Sequence, residues 1–174
     1  MIEVFAVMFS LLSVLLAIRN NILTWPIGII GIIFFFLVFK ESGIVGNQYL
    51  QVLFLLQSIY GWYNWDSQTT NITWLSNYNR FNFSITFLII LIILFSFNLS
   101  FFDSITSSLS VVGILLLSYK KIDTWTYWLV ADLLYVWFFI DEGLYLSAVL
   151  YFIFFVLAIV GLIEWKKIIK DEKI

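Results

Sequence analysis

The chain has 174 residues, 63% apolar and 11% charged, with a formal net charge of −2 and a mean hydropathy of +1.03. A water-soluble domain is usually about 45–50% apolar and about 25% charged, so a soluble fold would leave large apolar patches in water, and the absence of a basic stripe excludes nucleic acid as a partner. Cysteine and histidine are both absent, which removes disulfides, thiol nucleophiles, the commonest metal ligand and the commonest general base; no catalytic residue, metal site or cofactor is expected.

Seven apolar runs, each near the length that crosses ~30 Å of hydrocarbon, predict an all-α integral membrane protein with seven transmembrane helices. The first, 4–18, follows Glu3 where a signal peptide would carry basic residues, and no small-residue cleavage site comes after it. It reads as a retained helix. The second, 22–39, opens at Thr24-Trp25-Pro26, a capping residue with a first-turn proline, and holds Gly28 and Gly31, which permit close helix approach. The third, 46–65, carries a polar stripe of Asn47, Gln51, Ser58 and Trp62, with Gln57 and Asn64 on other faces. The longest connection runs from Asp66 to Arg80 and includes Trp74. Asn71-Ile72-Thr73 within it has the form of a glycosylation acceptor, which the topology below assigns to chance. The fourth span covers 82–102 and the fifth 104–118. Lys120-Lys121-Ile122-Asp123 then offers Asp123 or Thr124 as a cap for the sixth span, 125–140. The seventh, 144–164, begins with Tyr145 and Tyr151.

Basic residues set the orientation. With seven spans, one side of the membrane carries Lys40 alone, beside Glu3, Glu41, Asp103, Asp141 and Glu142. The other side carries Arg19, Arg80, Lys120, Lys121, Lys166, Lys167, Lys170 and Lys173. Eight against one places the N-terminus outside and the C-terminal tail in the cytoplasm. An even number of spans would scatter these residues.

An internal repeat emerges on sliding the chain by 100 residues. Residues 1–65 then show thirteen identities with 101–165, against roughly six expected from composition. Trp25 falls on Trp125, Gly43 on Gly143, Gly61 on Gly161 and Trp65 on Trp165; shared hydrophobicity does not explain such rare residues at helix boundaries. The expectation is a single membrane domain: a three-helix repeat over 1–65, a cytoplasmic loop and linker helix over 66–100, a second three-helix repeat over 101–165, and a tail over 166–174. The two repeats run parallel, a plan that transporters use with the substrate near the midplane where the repeats meet.

Asp132 stands in the middle of the sixth span, where an ionised carboxylate is costly and usually functional. Helical spacing brings Trp125, Trp128, Asp132, Tyr135 and Phe139 roughly onto one stripe. Rings around a buried anion suit a flat cationic ligand, by stacking, cation–π attraction and a charge partner; the alternative is that Asp132 pairs with a tyrosine or amide of a neighbouring helix. Gln51 and Gln57 either bind a ligand's carboxamide and hydroxyls or join helices to each other. Tyr151 is deep enough to reach a central site, while Tyr145 marks the outer interface. Tyr60, Trp62, Tyr63 and Trp65 form an interfacial belt at the cytoplasmic end of the third span, and Glu164 pairs in solvent with Lys166 or Lys167.

Tyr60-Gly61-Trp62-Tyr63-Asn64-Trp65, Trp125-Thr-Tyr-Trp128 with Asp132, and Gly143-Leu-Tyr-Leu-Ser-Ala-Val-Leu-Tyr151 closing on Gly161 and Trp165 together resemble the PnuC family of vitamin transporters. The resemblance runs from Trp25 through Trp165. It implies a SWEET-like three-plus-one-plus-three plan, a homotrimer, and uptake of nicotinamide riboside by facilitated diffusion across the inner (plasma) membrane, with a cytoplasmic kinase trapping the vitamin. Relatives carry thiamine or riboflavin. The family's substrate motif pairs two tryptophans with a polar residue and a tyrosine; here these positions hold Trp125, Trp128, Asp132 and Phe139, an acid where an amide is often found and a ring without its hydroxyl. Nicotinamide riboside and thiamine are both flat cations that suit Asp132, and neutral riboflavin gains less. Trp125 and Trp128 would stack on the ring, Asp132 would face its charge, and Gln51 would bind amide or hydroxyl groups. A membrane assembly subunit using the same polar residues for packing is the alternative from another class.

Overall fold

The structure is a computed structural model that describes residues 2–41, 45–65, 71–97, 100–141, 143 and 145–171. Gly43, Asp66, Glu142, Lys173 and the side chain of Asn47 lie outside the described residues. Seven α-helices are present among them: α1 (Ile2–Ile18), α2 (Thr24–Glu41), α3 (Val45–Asn64), α4 (Asn77–Ser96), α5 (Phe101–Ser118), α6 (Asp123–Asp141) and α7 (Tyr145–Asp171). Four stretches are long and apolar enough to cross a membrane, Thr24–Glu41, Asn77–Ser96, Phe101–Ser118 and Ser147–Asp171, and α1 is an apolar helix of 17 residues. The other two helices, α3 and α6, are interrupted by amides and carboxylates, and they hold most of the candidate polar residues.

The boundaries depart from the sequence expectation where local hydrogen bonds intervene. The predicted fourth span ran unbroken to 102, but α4 ends at Ser96 and α5 begins at Phe101. Ser100 caps α5: its hydroxyl accepts from the Asp103 amide at 3.0 Å and donates to the Asp103 carboxylate at 2.7 Å. Asp103 therefore belongs to a first helical turn and not to a connection. At its other end α4 starts at Asn77, five residues earlier than expected, because Ser76 accepts from the Asn79 amide. α7 continues through Lys166, Lys167 and Lys170 to Asp171, so this part of the expected tail is helical.

The chain divides into two compact units, residues 1–71 with 118–120, and residues 72–117 with 121–174. In the first, α1 packs along α2 and α2 along α3. Small residues make the α1–α2 contact close: a Cβ on Gly28 would stand 2.8 Å from Ser13 Oγ, and one on Gly31 would stand 2.9 Å from Ser10 Oγ. Thr24, read from sequence as a helix cap, instead donates its hydroxyl to the Ser13 carbonyl at 2.9 Å, while Ser13 donates to the Thr24 carbonyl at 2.8 Å. Lys120 also belongs to this unit and is buried with its ammonium 4.9 Å from the Trp65 ring centroid, a cation–π contact. Val4, Met8, Leu12 and Leu15 leave one stripe of α1 exposed and apolar, as hydrocarbon contact requires.

In the second unit α5 is the most enclosed helix, with Ser104, Thr106, Ser108 and Val112 at 0% exposure. Its hydroxyls return to carbonyls four residues back: Ser104 to Ser100, Thr106 to Phe102, Ser108 to Ser104 and Ser110 to Thr106. A helix that satisfies its own polar side chains in this way can be buried without polar partners. Residues 72–76 form a strap. The Ile122 amide donates to the Thr73 carbonyl at 3.0 Å, and Lys121 Nζ donates to Thr73 Oγ1 at 2.6 Å. Asp123, also expected as a cap, accepts from the Leu75 amide at 2.9 Å and pairs with Arg80 at 3.3 Å. Lys166 lies 5.8 Å from the Trp74 ring centroid, and Glu164 pairs with Lys167 at 2.6 Å.

Local geometry at residues 13–65 recurs 100 positions later. Asn20 and Lys120 both adopt positive φ, 50° and 49°. The amides of Asn21 and Lys121 donate to Leu16 and Leu116, each at 2.9 Å, closing α1 and α5 alike. Thr24 Oγ1 donates to the Ser13 carbonyl and Thr124 Oγ1 to the Gly113 carbonyl at 2.7 Å. Trp25 meets Trp65 edge to face at 5.3 Å, and Trp125 meets Trp165 at 5.5 Å. Gly61 lies on the Trp25 ring as Gly161 lies on the Trp125 ring, and a Cβ at either would fall within 2.6 Å of it. Both indole N–H groups, at Trp25 and at Trp125, are buried without an acceptor among the described residues.

Candidate functional site

The second unit brings most of the candidate residues together on α6 and α7. Trp125 is fully buried, and its ring is held by Gly161 and by edge contacts to Trp128 at 5.4 Å and Trp165 at 5.5 Å. Of the two tryptophans, Trp128 is the half-buried one with a ring to offer. One turn further along the helix Asp132 is also half-buried. The two ion pairs among the described residues are Arg80–Asp123 and Lys167–Glu164, so no cation of the described chain neutralises Asp132.

Beyond Asp132 the rings form a stack. Tyr135 and Tyr151 have centroids 4.4 Å apart, Phe139 and Tyr151 5.3 Å, and Tyr135 and Phe139 5.9 Å, with interplanar angles of 30°, 27° and 16°. Asp132 and Tyr135 are one turn apart on α6, so the carboxylate stands at the near end of this stack. Trp128, Asp132, Tyr135 and Phe139 are four consecutive turns of α6, which is why spacing alone could group them, whereas Tyr151 arrives from α7 by packing. Aromatic faces beside an anion attract a planar cation by stacking and by the quadrupole of the rings.

The candidates of the first unit stand on α3. Gln51 is half-buried and Gln57 is buried at 8% exposure. Of the expected interfacial belt, Tyr60, Trp62 and Tyr63 are exposed, and Trp65 is buried against Trp25. Tyr60 also meets the Tyr119 hydroxyl at 2.6 Å. This hydrogen bond, with burial, pushes the Tyr119 phenol above its ordinary range.

Sequence reasoning overlooked residues on α5 that support the ring stack. Phe102 stacks on Phe138 at 4.4 Å and meets Tyr135 edge to face at 5.7 Å, and Gly113 underlies Trp128. A run of serines with one glycine carries no chemical signature of its own; only the facing helix shows its use.

Known proteins resemble the chain in sequence and in fold. The profile of the nicotinamide mononucleotide transporter family matches residues 1–167. The chain is 24% identical over 201 aligned positions to the nicotinamide riboside transporter PnuC of Escherichia coli (strain K12), covering 94% of this chain and 84% of the relative. PnuC of Shigella flexneri matches with the same figures. The fold is similar to that in "Crystal structure of the Vitamin B3 transporter PnuC", with a TM-score of 0.81 at 15% identity, over 98% of this chain and 82% of that one. An apolar, helical chain matched over residues 1–167 by a transporter family is a membrane transporter and not an enzyme; it belongs to the nicotinamide mononucleotide transporter family.

Proposed function

We propose that the protein carries nicotinamide riboside into the cell by facilitated diffusion. The observation that carries this reading is the Asp132 carboxylate, with no ion-pair partner among the described residues, on the stripe of α6 that also holds Trp128, Tyr135 and Phe139, the last two packed on Tyr151. A flat pyridinium fits such a surroundings: Trp128 stacks on it, with Trp125 edge-on behind, and Asp132 faces its positive charge. Gln51 of α3 is the first unit's candidate for hydrogen bonds to a carboxamide or to ribose hydroxyls, while Gln57, buried on another face of α3, is the candidate for joining helices. The same anion favours thiamine as the second ligand to test, and offers less to neutral riboflavin.

The finer architecture is proposed on the same footing. Seven spans in a three-plus-one-plus-three parallel repeat, over 1–65 and 101–165 with 66–100 between, draw support from the contacts that recur at an offset of 100 residues. The SWEET-like plan, a homotrimer in the inner membrane, an outside N-terminus, and trapping of the vitamin by a cytoplasmic kinase follow from the family resemblance and the charge asymmetry. Calorimetric titration of the detergent-purified protein with nicotinamide riboside, thiamine and riboflavin tests the assignment. Tight binding of nicotinamide riboside, followed by its uptake into liposomes without an ion gradient, is expected. A folded sample that binds none of the three sinks the vitamin assignment.

A further inference from the structure

Positions 13 and 28 make the same contact as positions 113 and 128, and the bulk at that contact has changed sides. In the first unit a serine on α1 faces a glycine on α2: a Cβ at Gly28 would come to 2.8 Å from Ser13 Oγ. In the second unit a glycine on α5 faces a tryptophan on α6: a Cβ at Gly113 would come to 2.3 Å from Trp128 Nε1 and 2.6 Å from Cδ1. The surrounding backbone contact is otherwise kept, since Thr24 and Thr124 both donate to the carbonyl of residue 13 or 113, at 2.9 and 2.7 Å. The first unit thus shows that this helix pair closes with a Ser–Gly contact and no indole. Trp128 is an addition that packing at this crossing does not demand. The missing side chain at Gly113 is what allows the pyrrole edge of its ring to lie against the α5 backbone.

We infer that Gly113 is a positioning residue for transport: it sets the plane in which Trp128 meets a flat cationic ligand beside Asp132. The inference rests on the proposed ligand site. Its chemical logic is preorganisation, since stacking is strong only when the ring is held at the right height and tilt before the ligand arrives. Trp128 is half-buried, so a methyl or hydroxymethyl group at 113 would tilt the ring instead of breaking the helix pair. A helical glycine in water-soluble proteins is destabilising relative to alanine, so its use here needs the close approach of the indole to explain it.

The test uses the full chain in detergent, titrated with nicotinamide riboside by calorimetry, with tryptophan fluorescence quenching by the bound pyridinium as a second reading. Wild type must bind first; absence of binding there refutes the function reading and not this one. With wild type binding, Gly113→Ala and Gly113→Ser are expected to weaken affinity about ten-fold or more, as small displacements of a positioned group do, with reduced quenching at saturation. Either variant, folded and binding as wild type, overturns the inference. The exchange Gly113→Ser with Trp128→Gly rebuilds the contact of the first unit and covers the case in which the single variants do not fold. It is expected to melt within about 5 °C of wild type, equivalent to roughly 1–2 kcal/mol in a chain this size, and to have lost binding. An exchange variant that does not fold shows that packing requires Trp128, and one that folds and binds shows that the ring is dispensable; each overturns the inference.

Discussion

Asp132 makes the ligand's charge testable at a single atom. Asp132→Asn keeps the shape of the side chain and removes its charge, so stacking on Trp128 and the ring stack of Tyr135, Phe139 and Tyr151 are retained. The charged ring nitrogen of either cation is quaternary and donates no hydrogen bond, so the loss is Coulombic, about 4 kcal/mol for unit charges ~4 Å apart at an effective dielectric of about 20, much of it offset by the desolvation of both ions. Binding of nicotinamide riboside and of thiamine should therefore weaken roughly 5–30-fold on a net loss of about 1–2 kcal/mol, while any riboflavin affinity stays level. Parallel calorimetric titrations of the three ligands check this. If all three affinities are unchanged and the melting temperature falls, Asp132 serves helix packing and the charge-pairing role is wrong. The residue stands out in the sequence because a mid-span carboxylate is rare. The enclosure of Trp125 does not, since a tryptophan one turn from another reads the same whether its ring is free or locked under Gly161.

At the scale of helices, the recurring tryptophan–glycine contacts make a matched pair of predictions. Alanine at Gly61 or Gly161 gains about 1 kcal/mol of helix propensity. The added methyl, however, would meet a buried indole at 2.3 Å for Trp25 or 2.6 Å for Trp125, and overpacking a filled core costs typically 1–3 kcal/mol. The steric term wins, so both variants should melt lower than wild type, and by similar amounts because the surroundings are alike. Scanning fluorimetry checks it, and a stabilised variant would show that the rings can move aside. The strap at 72–76 gives a second element-scale prediction. Asp123→Ala removes the acceptor of the buried Leu75 amide and the partner of Arg80, which should cost about 1–3 kcal/mol for the orphaned donor. Hydrogen exchange should quicken at residues 73–75 before it does in α5, and unchanged protection there would show that the apolar anchors Ile72 and Leu75 hold the strap alone. These polar positions explain why the fold was only partly readable. Helix order and the apolar spans follow from hydropathy, but Thr24, Asp123 and Thr124 look like caps in one dimension and bind across elements in three. The break between α4 and α5 was expected at Asp103, a few residues late, because hydropathy marks the charged residue and not Ser100, the serine that caps α5.

For the whole molecule, orientation in the membrane is the prediction that the sequence makes and the packing does not address. Moving a lysine or arginine across the bilayer during insertion is unfavourable enough that short basic connections stay in the cytoplasm. Of nine basic residues, eight fall on one side if all seven helices span, and Lys40 stands alone on the other. Any helix that failed to span would reverse every connection after it and divide the basic residues between the two faces. The chain has no cysteine, so single cysteines can be introduced and read without background. A membrane-impermeant maleimide added to intact cells should label Glu41→Cys, and should label Lys167→Cys and Arg80→Cys only after the membrane is opened. Labelling of Lys167→Cys from outside while Glu41→Cys is protected would invert the orientation and with it the direction in which a kinase could trap the cargo. Labelling of Arg80→Cys and Lys167→Cys from opposite faces would mean an odd number of crossings between them, where four are expected, and would end the seven-span reading together with the parallel relation of residues 1–65 to 101–165.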